Sequence, residues 1–385
     1  MTTRDAHAGA SNDGGTAARA GRITVLDGWR GISILLVVYG HLAVARYLDD
    51  SPLNLQFRIA DVLSTLGVDI FFVISGFIIT TLALRERATS GQFSPTAFYI
   101  RRVLRIIPPY YFYLLCILIL SAYGAIAQQN TAQTLMGAAF ACNLPQVDCG
   151  KFVGHSWSLA YEEQYYLCFP LVFLCLAGSM RATLGWLLIA LMALPVFRYA
   201  LNLGHVWYLL CHAAFPLSFI CIGALTAVHA DRLRRLATQS TAAAAFFMAA
   251  VILAGVVWLD IISHAHPELG RLVKLRMLLV PTLEPVCVAW LVIGSVYRKT
   301  WTTRLLNSLP LQFFGMISYS LYLWQQPFTR NHSLVLGAPW LNFAPLMVVA
   351  AALSYYLIEK PCIRLGKRII AMRRAHSSPS LPVAR

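Results

Sequence analysis

Charged side chains are scarce in this chain: Asp, Glu, Lys and Arg make up 12% of its 385 residues, whereas 58% are hydrophobic. Soluble domains carry about twice that charged fraction, so the composition excludes an ordinary soluble protein. No repeat of 20–50 residues is visible, which argues against a solenoid, and no pairing of His with Cys suggests a zinc site. What remains is the composition of a polytopic membrane protein.

Acidic residues are fewer than basic ones: the chain has 16 Asp and Glu against 31 Lys and Arg, a formal net charge of +15. Such an excess can indicate nucleic-acid binding. Here, however, the basic residues fall between apolar runs, as they do in loops that orient membrane helices. With the N-terminus inside, 23 of the 31 Lys and Arg lie on that side of the membrane. The asymmetry predicts that both termini are cytoplasmic.

Ten apolar runs are long enough to cross a bilayer, which takes about 17–25 residues of helix. We therefore expect an all-α fold, a bundle of about ten transmembrane helices, formed by one membrane domain over residues 22–370. Residues 1–21 lack the apolar core of a signal peptide, so we expect a disordered cytoplasmic leader there and a disordered tail over residues 371–385. The runs lie at 31–48, 62–84, 106–127, 157–178, 183–203, 211–229, 242–262, 277–297, 313–330 and 339–358.

Six of the nine cysteines lie inside apolar runs, where they serve as small packing residues. Cys142 and Cys149 differ, because both lie in the 128–156 loop, which the charge count places outside. In an oxidising compartment they could close a small disulfide loop. They could equally remain apart, since spacing alone does not establish the geometry of a bridge.

Ionisable residues are rare inside the runs, and several recur at similar depth. Arg30 and His41 are eleven residues apart, so on an α-helix both project from one face, about 16 Å from each other. Asp69, the dipeptide Glu162–Glu163 and Glu284 lie about as deep as His41 below the outer ends of their runs. Such a position costs about 2.5–3.5 kcal/mol on insertion scales and usually marks a pathway or a site. A histidine satisfied by neighbouring helices is the alternative for His41.

Six ordered segments carry a family resemblance over about residues 24–370. They are LDGWRGISILLVVYGH, GVDIFFVISGFIIT, YIRRVLRIIPPYY, HSWSLAYEEQYYLCFP, ISYSLYLWQQP and YYLIEKPCIRLGKR. Together they resemble the signature segments of the membrane acyltransferase-3 family. The resemblance implies a multi-pass protein of the bacterial inner membrane that transfers an acyl group from acyl-CoA to a hydroxyl, usually of a surface polysaccharide or a secreted metabolite. The family's Arg-x10-His motif maps onto Arg30 and His41, and its RxxR motif onto Arg102 and Arg105.

The chain departs from the family pattern at a few positions. Gln325 stands where relatives often have His, and Tyr161 replaces the usual Val before the Glu pair. The sixth run carries His212 and lacks the Arg and Asp expected there. These changes concern the choice of acceptor more than the donor chemistry, so they leave the acceptor open.

A basic cluster is expected to bind the donor. Arg30 stands at the cytoplasmic mouth of the first run, and Arg101, Arg102 and Arg105 precede the third. Guanidinium groups bind phosphate through paired hydrogen bonds, which suits the phosphates of acyl-CoA. Arginines at a cytoplasmic helix end are also topology signals, which is the alternative interpretation. Beyond the cluster, the dipeptide Pro108–Pro109 is expected to kink or restart the helix.

For the reaction we expect His41 to act as general base toward the acceptor hydroxyl, with a carboxylate orienting its ring. Three carboxylates qualify, and the sequence does not choose among Asp69, Glu162 and Glu163. Ser75 precedes a Gly and is expected to allow close helix packing rather than to form an acyl-enzyme. No metal is expected. The predicted acceptor-binding residues are Ser156, Trp157 and Glu284.

Other functions share parts of this pattern. The same chemistry could act on an intracellular secondary metabolite or a lipo-oligosaccharide. A small-molecule transporter would also need intramembrane charges, but it often shows inverted repeats, of which none is visible. A purely structural component would not need ionisable groups at matched depth. The predicted partners are acyl-CoA, a saccharide or glycoconjugate acceptor and the bilayer; nucleic acid is not expected, and the oligomeric state stays open.

Overall fold

A computed structural model of the protein describes residues 23–47, 55–126, 128–176, 179–200, 205–329 and 344–377. Within these ranges every regular element is a helix and no strand is present, which confirms the all-α expectation. The expected leader over residues 1–21 and the side chain of His212 lie outside the described part. In the expected tail, residues 371–377 continue the last helix, and residues 378–385 lie outside the description.

The first half of the chain forms seven helices. They are α1 (Thr24–Tyr47), α2 (Leu55–Ser90), α3 (Pro95–Ala122), α4 (Thr131–Ala138), α5 (Gly150–Val153), α6 (Trp157–Cys175) and α7 (Met180–Ala200). A short 3-10 turn, Gly154–Ser156, joins α5 to α6.

The second half adds eight more. They are α8 (His205–Val228), α9 (Ala230–Thr238), α10 (Ala242–Ala265), α11 (Gly270–Val296), α12 (Trp301–Leu306), α13 (Leu309–Thr329), α14 (Ala344–Ser354) and α15 (Lys360–Ser377). A π-helical segment, Tyr355–Glu359, joins α14 to α15.

Five of the described helices are long and apolar enough to cross a membrane: α2, α3, α10, α11 and the combined α14–α15. A sixth is added if α8 and α9, which meet at 83°, count as one broken span. Each of the ten predicted runs overlaps a helix. The described part thus shows a multi-pass protein, while the full count of ten and the cytoplasmic placement of the termini stay predictions.

α3 shows how local chemistry sets its limits. Ser94 caps its first turn by accepting a hydrogen bond from the backbone N–H of Ala97, and Pro95 occupies the first helical position, where its missing N–H costs nothing. The helix continues through Pro108–Pro109 to Ala122, so it does not restart at the two prolines. The basic segment and the apolar run that follows it therefore belong to one continuous helix.

Glycines set the closest approaches between helices. Gly31 and Gly315 lie at the crossing of α1 with α13, and Gly76 and Gly223 at the crossing of α2 with α8. A Cβ at any of the four would lie against a backbone carbonyl of the other helix. Small residues at such crossings let backbones pack closely where both helices are apolar. The α1–α13 crossing brings the segments carrying His41 and Gln325 side by side.

The segment between α3 and α6 is tied down at several points. Cys142 and Cys149 form a disulfide, with Cα atoms 5.8 Å apart, so the bridge left open by the sequence is present. Beneath it, the Tyr110 hydroxyl donates to the carbonyl of Gly137 at 2.9 Å, and the Tyr113 hydroxyl to that of Phe152 at 2.6 Å. These bonds fix the loop on the end of the bundle.

Candidate active site

A buried cavity lies between α1, α2, α3, α6 and α13. Water-sized spheres have about 70 Å³ of room in it, within about 660 Å³ of non-atom space that includes open solvent. Its walls are partly apolar, with Phe71, Phe72 and Ile106 among them. The polar lining residues are Arg30, Ser75, Arg102, Arg105, Ser158, Glu162, Tyr166, Ser318, Tyr319 and Tyr322. We refer to it as the arginine cavity.

Two helices supply its three guanidinium groups: Arg30 comes from α1, and Arg102 and Arg105 come from one face of α3. The guanidinium carbon of Arg102 lies 5.4 Å from the centre of the Tyr166 ring, a cation–π contact that holds the side chain in place. Arg101 faces elsewhere and forms an ion pair with Glu86 at 2.9 Å. The structure thus brings together three of the four predicted donor-binding arginines.

Glu162 lies in the same cavity and accepts two hydrogen bonds. The Ser75 hydroxyl donates to one carboxylate oxygen at 2.7 Å, and the Tyr166 hydroxyl donates to the other at 3.0 Å. The Ser75 side chain therefore orients Glu162, while the neighbouring Gly76 makes the close helix contact. Glu163 follows on α6, and its Oε1 is buried without a hydrogen-bond partner among the described residues.

His41 lies on α1 between two amides of α13. Its Nδ1 is 3.1 Å from Oε1 of Gln325, and its Nε2 is 3.5 Å from Nε2 of Gln326. An amide oxygen can only accept and an amide nitrogen can only donate, so these contacts fit the tautomer with the proton on Nδ1 and with Nε2 accepting from Gln326. Both glutamines are fully buried. Gln325 was noted in the sequence as a departure from the family, whereas Gln326 was missed, although it is the adjacent amide in the same segment.

α13 links the histidine to the arginine cavity. His41 is not among the residues that line the cavity, but Tyr322 lines it, and Gln325 follows Tyr322 by one helical turn. The Tyr322 hydroxyl donates to the carbonyl of His155 at 2.5 Å and accepts from the Ser158 hydroxyl at 2.6 Å. These bonds hold this part of α13 against the start of α6.

Asp69 and Glu284 belong to a separate acidic group. Both are buried, on α2 and α11, and each interacts electrostatically with Asp260 of α10. Asp260 is paired with Arg276. Neither Asp69 nor Glu284 lines the arginine cavity. Asp69 and Glu284, for which the sequence predicts a similar depth, thus belong to helices that pack together with α10, and they do not share the arginine cavity with Glu162.

The two remaining predicted residues lie at the start of α6. The Ser156 side chain is buried, and its hydroxyl lies 3.2 Å from Sγ of Cys142. Trp157 packs edge-on against Phe72, with ring centres 6.3 Å apart. It also lines a second, more open space beside the Cys142–Cys149 loop. In the described ranges, no three His, Cys, Asp or Glu side chains are grouped so that they could hold a metal ion.

Long apolar helices around a cavity lined by three arginines define the class: a multi-pass membrane protein with a cluster of guanidinium groups between its helices. The family is settled by comparison, because residues 23–359 match the family model described as "Acyltransferase domain", that of the acyltransferase-3 proteins. The chain therefore belongs to that family, as the six sequence segments predicted.

The sequence identity to individual members of the family is low. The chain is 26% identical to "Putative O-acetyltransferase SAR0937" of Staphylococcus aureus, over 91% of this chain and 59% of that protein. It is 26% identical to "Peptidoglycan O-acetyltransferase OatA" of Listeria monocytogenes, over 89% of this chain and 56% of that protein. The chain thus spans a little over half the length of these relatives. No solved structure gives a significant match.

Proposed function

We propose that this protein is an integral membrane O-acyltransferase of the bacterial cytoplasmic membrane. In this proposal it moves an acyl group, acetyl by preference, from cytoplasmic acyl-CoA to a hydroxyl of a cell-envelope or exported saccharide. Membership of the acyltransferase-3 family supports the reaction class. The names of the relatives, which specify O-acetyl transfer and in one case peptidoglycan, support acetyl and a saccharide acceptor.

The observation that carries the proposal is the convergence of Arg30, Arg102 and Arg105 on one buried cavity. Three guanidinium groups and one carboxylate, Glu162, line it. The three arginines are half-buried, and the carboxylates of Asp27 and Glu359 act electrostatically on Arg30, as Glu359 does on Arg105. Guanidinium groups held together in this way favour further anionic partners that they can bind through paired hydrogen bonds. The diphosphate and the ribose phosphate of coenzyme A offer such charges, and each charge-assisted hydrogen bond contributes about 1.5–3 kcal/mol.

The direction of transfer follows from the two ends of α1. Arg30 lies at the end that the charge distribution assigns to the cytoplasm, and His41 lies about 16 Å further along the helix axis. A donor anchored by its phosphates at Arg30 would extend its thioester arm toward His41. The disulfide between Cys142 and Cys149 supports the placement of its loop in the oxidising outer compartment.

In the proposed reaction His41 acts as general base through Nε2. It takes the proton of the acceptor hydroxyl while the oxygen attacks the thioester carbonyl. The C–S bond then breaks, the ester forms, and the coenzyme A thiolate takes up the proton from the imidazolium. Gln325 holds the required tautomer by accepting from Nδ1. The predicted catalytic carboxylates Asp69, Glu162 and Glu163 stay part of the proposal, and Glu162 is the one in the arginine cavity.

The test is a His41→Ala variant in a strain that lacks its own copy of the gene. Wild type should restore ester-linked acetyl groups on envelope glycans, measured by mass spectrometry, and His41→Ala should restore none at equal protein abundance in the membrane. His266→Ala, which changes an exposed loop histidine, is the matched control and should behave as wild type. Full acetylation by His41→Ala would remove His41 from the mechanism. If wild type instead adds acetyl groups to a secreted small molecule, that molecule is the acceptor and the proposed saccharide acceptor is wrong.

A further inference from the structure

A second space, beside the disulfide loop, has a composition opposite to that of the arginine cavity. It encloses about 2110 Å³ of empty space, open solvent included. It lies between the Cys142–Cys149 loop, the first turns of α6 and the part of α8 around Phe215. We call it the disulfide groove. Among the described residues that line it, one is a carboxylate, Asp148, and none is Lys, Arg or His.

α6 separates the two spaces by helical periodicity. Trp157, Tyr161 and Gln164 lie on the face toward the disulfide groove. Ser158 and Glu162 lie on the face toward the arginine cavity. Positions i, i+4 and i+7 share one side of a helix, and i+1 and i+5 lie about 100° away. One helix therefore carries a wall of the arginine cavity on one face and a wall of the disulfide groove on the other.

The groove combines amides with aromatic rings. Asn143 of the loop and Gln164 of α6 form a reciprocal amide pair, at 2.9 Å and 3.0 Å, which joins the loop to the helix. Beside it, the rings of Trp157 and Tyr161 lie 6.1 Å apart, edge to face. Amides supply both donors and acceptors, and aromatic rings supply rigid apolar surface with little entropy to lose. Such a lining suits a ligand with many hydroxyls and apolar C–H faces.

The size and charge of the groove narrow the ligand class. Sites for small molecules usually enclose about 300–1,000 Å³, and the volume of the disulfide groove that compares with such sites is about 1000 Å³, the upper end of that range. Among the described lining residues the one charge is the carboxylate of Asp148, which would repel a phosphorylated ligand that the arginine cavity would hold better. We infer that the disulfide groove binds a neutral oligosaccharide, several sugar units at a time. This inference rests on the proposed function, whose acceptor chain it would hold.

The disulfide has a definite part in this arrangement. Asn143 follows Cys142 directly, and the bridge to Cys149 closes the loop that presents Asn143 to Gln164. Gln146 in the same loop has a positive φ of 65°, a conformation that costs free energy in an open chain. The disulfide restricts the loop before any ligand binds. The wall of the groove therefore loses less conformational entropy on binding than an open loop would.

The experiment measures binding of the neutral tetrasaccharide of β-1,4-linked N-acetylglucosamine to the purified full-length chain in detergent. Gln164→Ala and, separately, Asn143→Ala should weaken the Kd at least tenfold. Gln128→Ala, which changes an exposed glutamine outside the groove, should leave the Kd unchanged. Because both variants break the same Asn143–Gln164 pair, Trp157→Ala, which removes an aromatic ring of the groove and leaves the pair in place, is measured as well and should also weaken the Kd. No saturable binding by wild type, or equal Kd values in all five proteins, would overturn the inference.

Acetyl transfer is measured on the same proteins, so that the two proposals can fail separately. If wild type transfers acetyl and the groove variants bind and transfer as well as wild type, the inference about the disulfide groove is wrong and the proposed function stands. If wild type binds the tetrasaccharide through the groove but transfers no acetyl to any acceptor, the proposed function is wrong and the binding site stands.

Discussion

His41 lies between two side-chain amides, and this environment distinguishes the site at the scale of single residues. The Oε1 atom of Gln325 faces Nδ1 at 3.1 Å, where a carboxylate was expected from the analogy with hydrolytic triads. An amide oxygen orients the ring and selects its tautomer as a carboxylate would. It carries no negative charge, however, so it stabilises the imidazolium that forms in the reaction less strongly.

A substitution at Gln325 tests this role. Gln325→Leu keeps the approximate volume but removes the acceptor, so Nδ1–H loses its partner and the proton is free to move to Nε2. We expect kcat to fall by about tenfold or more, the equivalent of one buried hydrogen bond. The KM for acetyl-CoA should change less than twofold, because the arginine cavity is untouched. Steady-state kinetics of the purified enzyme measure both quantities.

Gln325→Glu is the rescue variant, since it restores an acceptor oxygen at the same position. It should recover most of the kcat that Gln325→Leu loses. Equal loss in both variants would mean that the site tolerates no change in packing, and Gln325 would then have a structural role only. A fall confined to the KM would assign Gln325 to substrate binding instead.

At this scale the sequence selects candidate ionisable residues, whose roles stay predictions, but it does not predict their partners. Arg30 and His41 could be selected from their spacing on one helix and the family motif. The contact between His41 and Gln325 joins residues 284 positions apart in the chain, and it depends on how α1 crosses α13. Nothing in the local pattern of LYLWQQP shows which of the two glutamines would reach Nδ1.

At the scale of secondary structure, α3 carries two arginines of the proposed donor site, Arg102 and Arg105, on one of its faces. The predicted apolar run began at residue 106, whereas the helix begins at Pro95. A search for apolar segments reports what fits inside a bilayer, and it omits the basic turns that continue the same helix into water. Those turns hold Arg102 and Arg105 toward the cavity and Arg101 toward Glu86.

The adjacent arginines of α3 allow a matched comparison. Arg102→Ala removes a guanidinium group from the cavity, and we expect the KM for acetyl-CoA to rise by about ten- to a hundredfold, since one or two charge-assisted hydrogen bonds are lost. Arg101→Ala deletes the same side chain one position earlier. It breaks the partly exposed ion pair with Glu86 and should change the KM far less.

Isothermal titration with coenzyme A gives an independent measurement, because it reports donor binding without turnover. Equal weakening by the two substitutions would show that the basic cluster acts through its overall charge, as a topology signal would, rather than through the cavity. If Arg101→Ala weakens coenzyme A binding more than Arg102→Ala does, Arg101 belongs to the donor site, as the sequence predicted.

At the scale of the whole molecule, the two ends differ in chemistry. Three arginines converge at one end, while the other carries a disulfide loop and a groove whose described lining contains neither Lys, Arg nor His. The sequence predicts which end faces the cytoplasm, since 23 of its 31 basic residues fall on one side when the N-terminus is inside, and this orientation stays a prediction. It could not predict the two cavities, because each is enclosed by helices distant in sequence and appears only when α6 is placed between them.

This polarity predicts which loops are reached from outside the cell. Gln92 and Gln128 are both exposed, and they lie beyond opposite ends of α3. The 28 residues of that helix rise about 42 Å, more than the hydrocarbon core of about 30 Å. We therefore expect a membrane-impermeant maleimide to label Gln128→Cys in intact cells. Gln92→Cys should react only after the membrane is permeabilised, and the unsubstituted chain gives the background. Labelling of Gln92→Cys alone in intact cells would invert the topology, and it would place the arginine cavity on the side that lacks acyl-CoA.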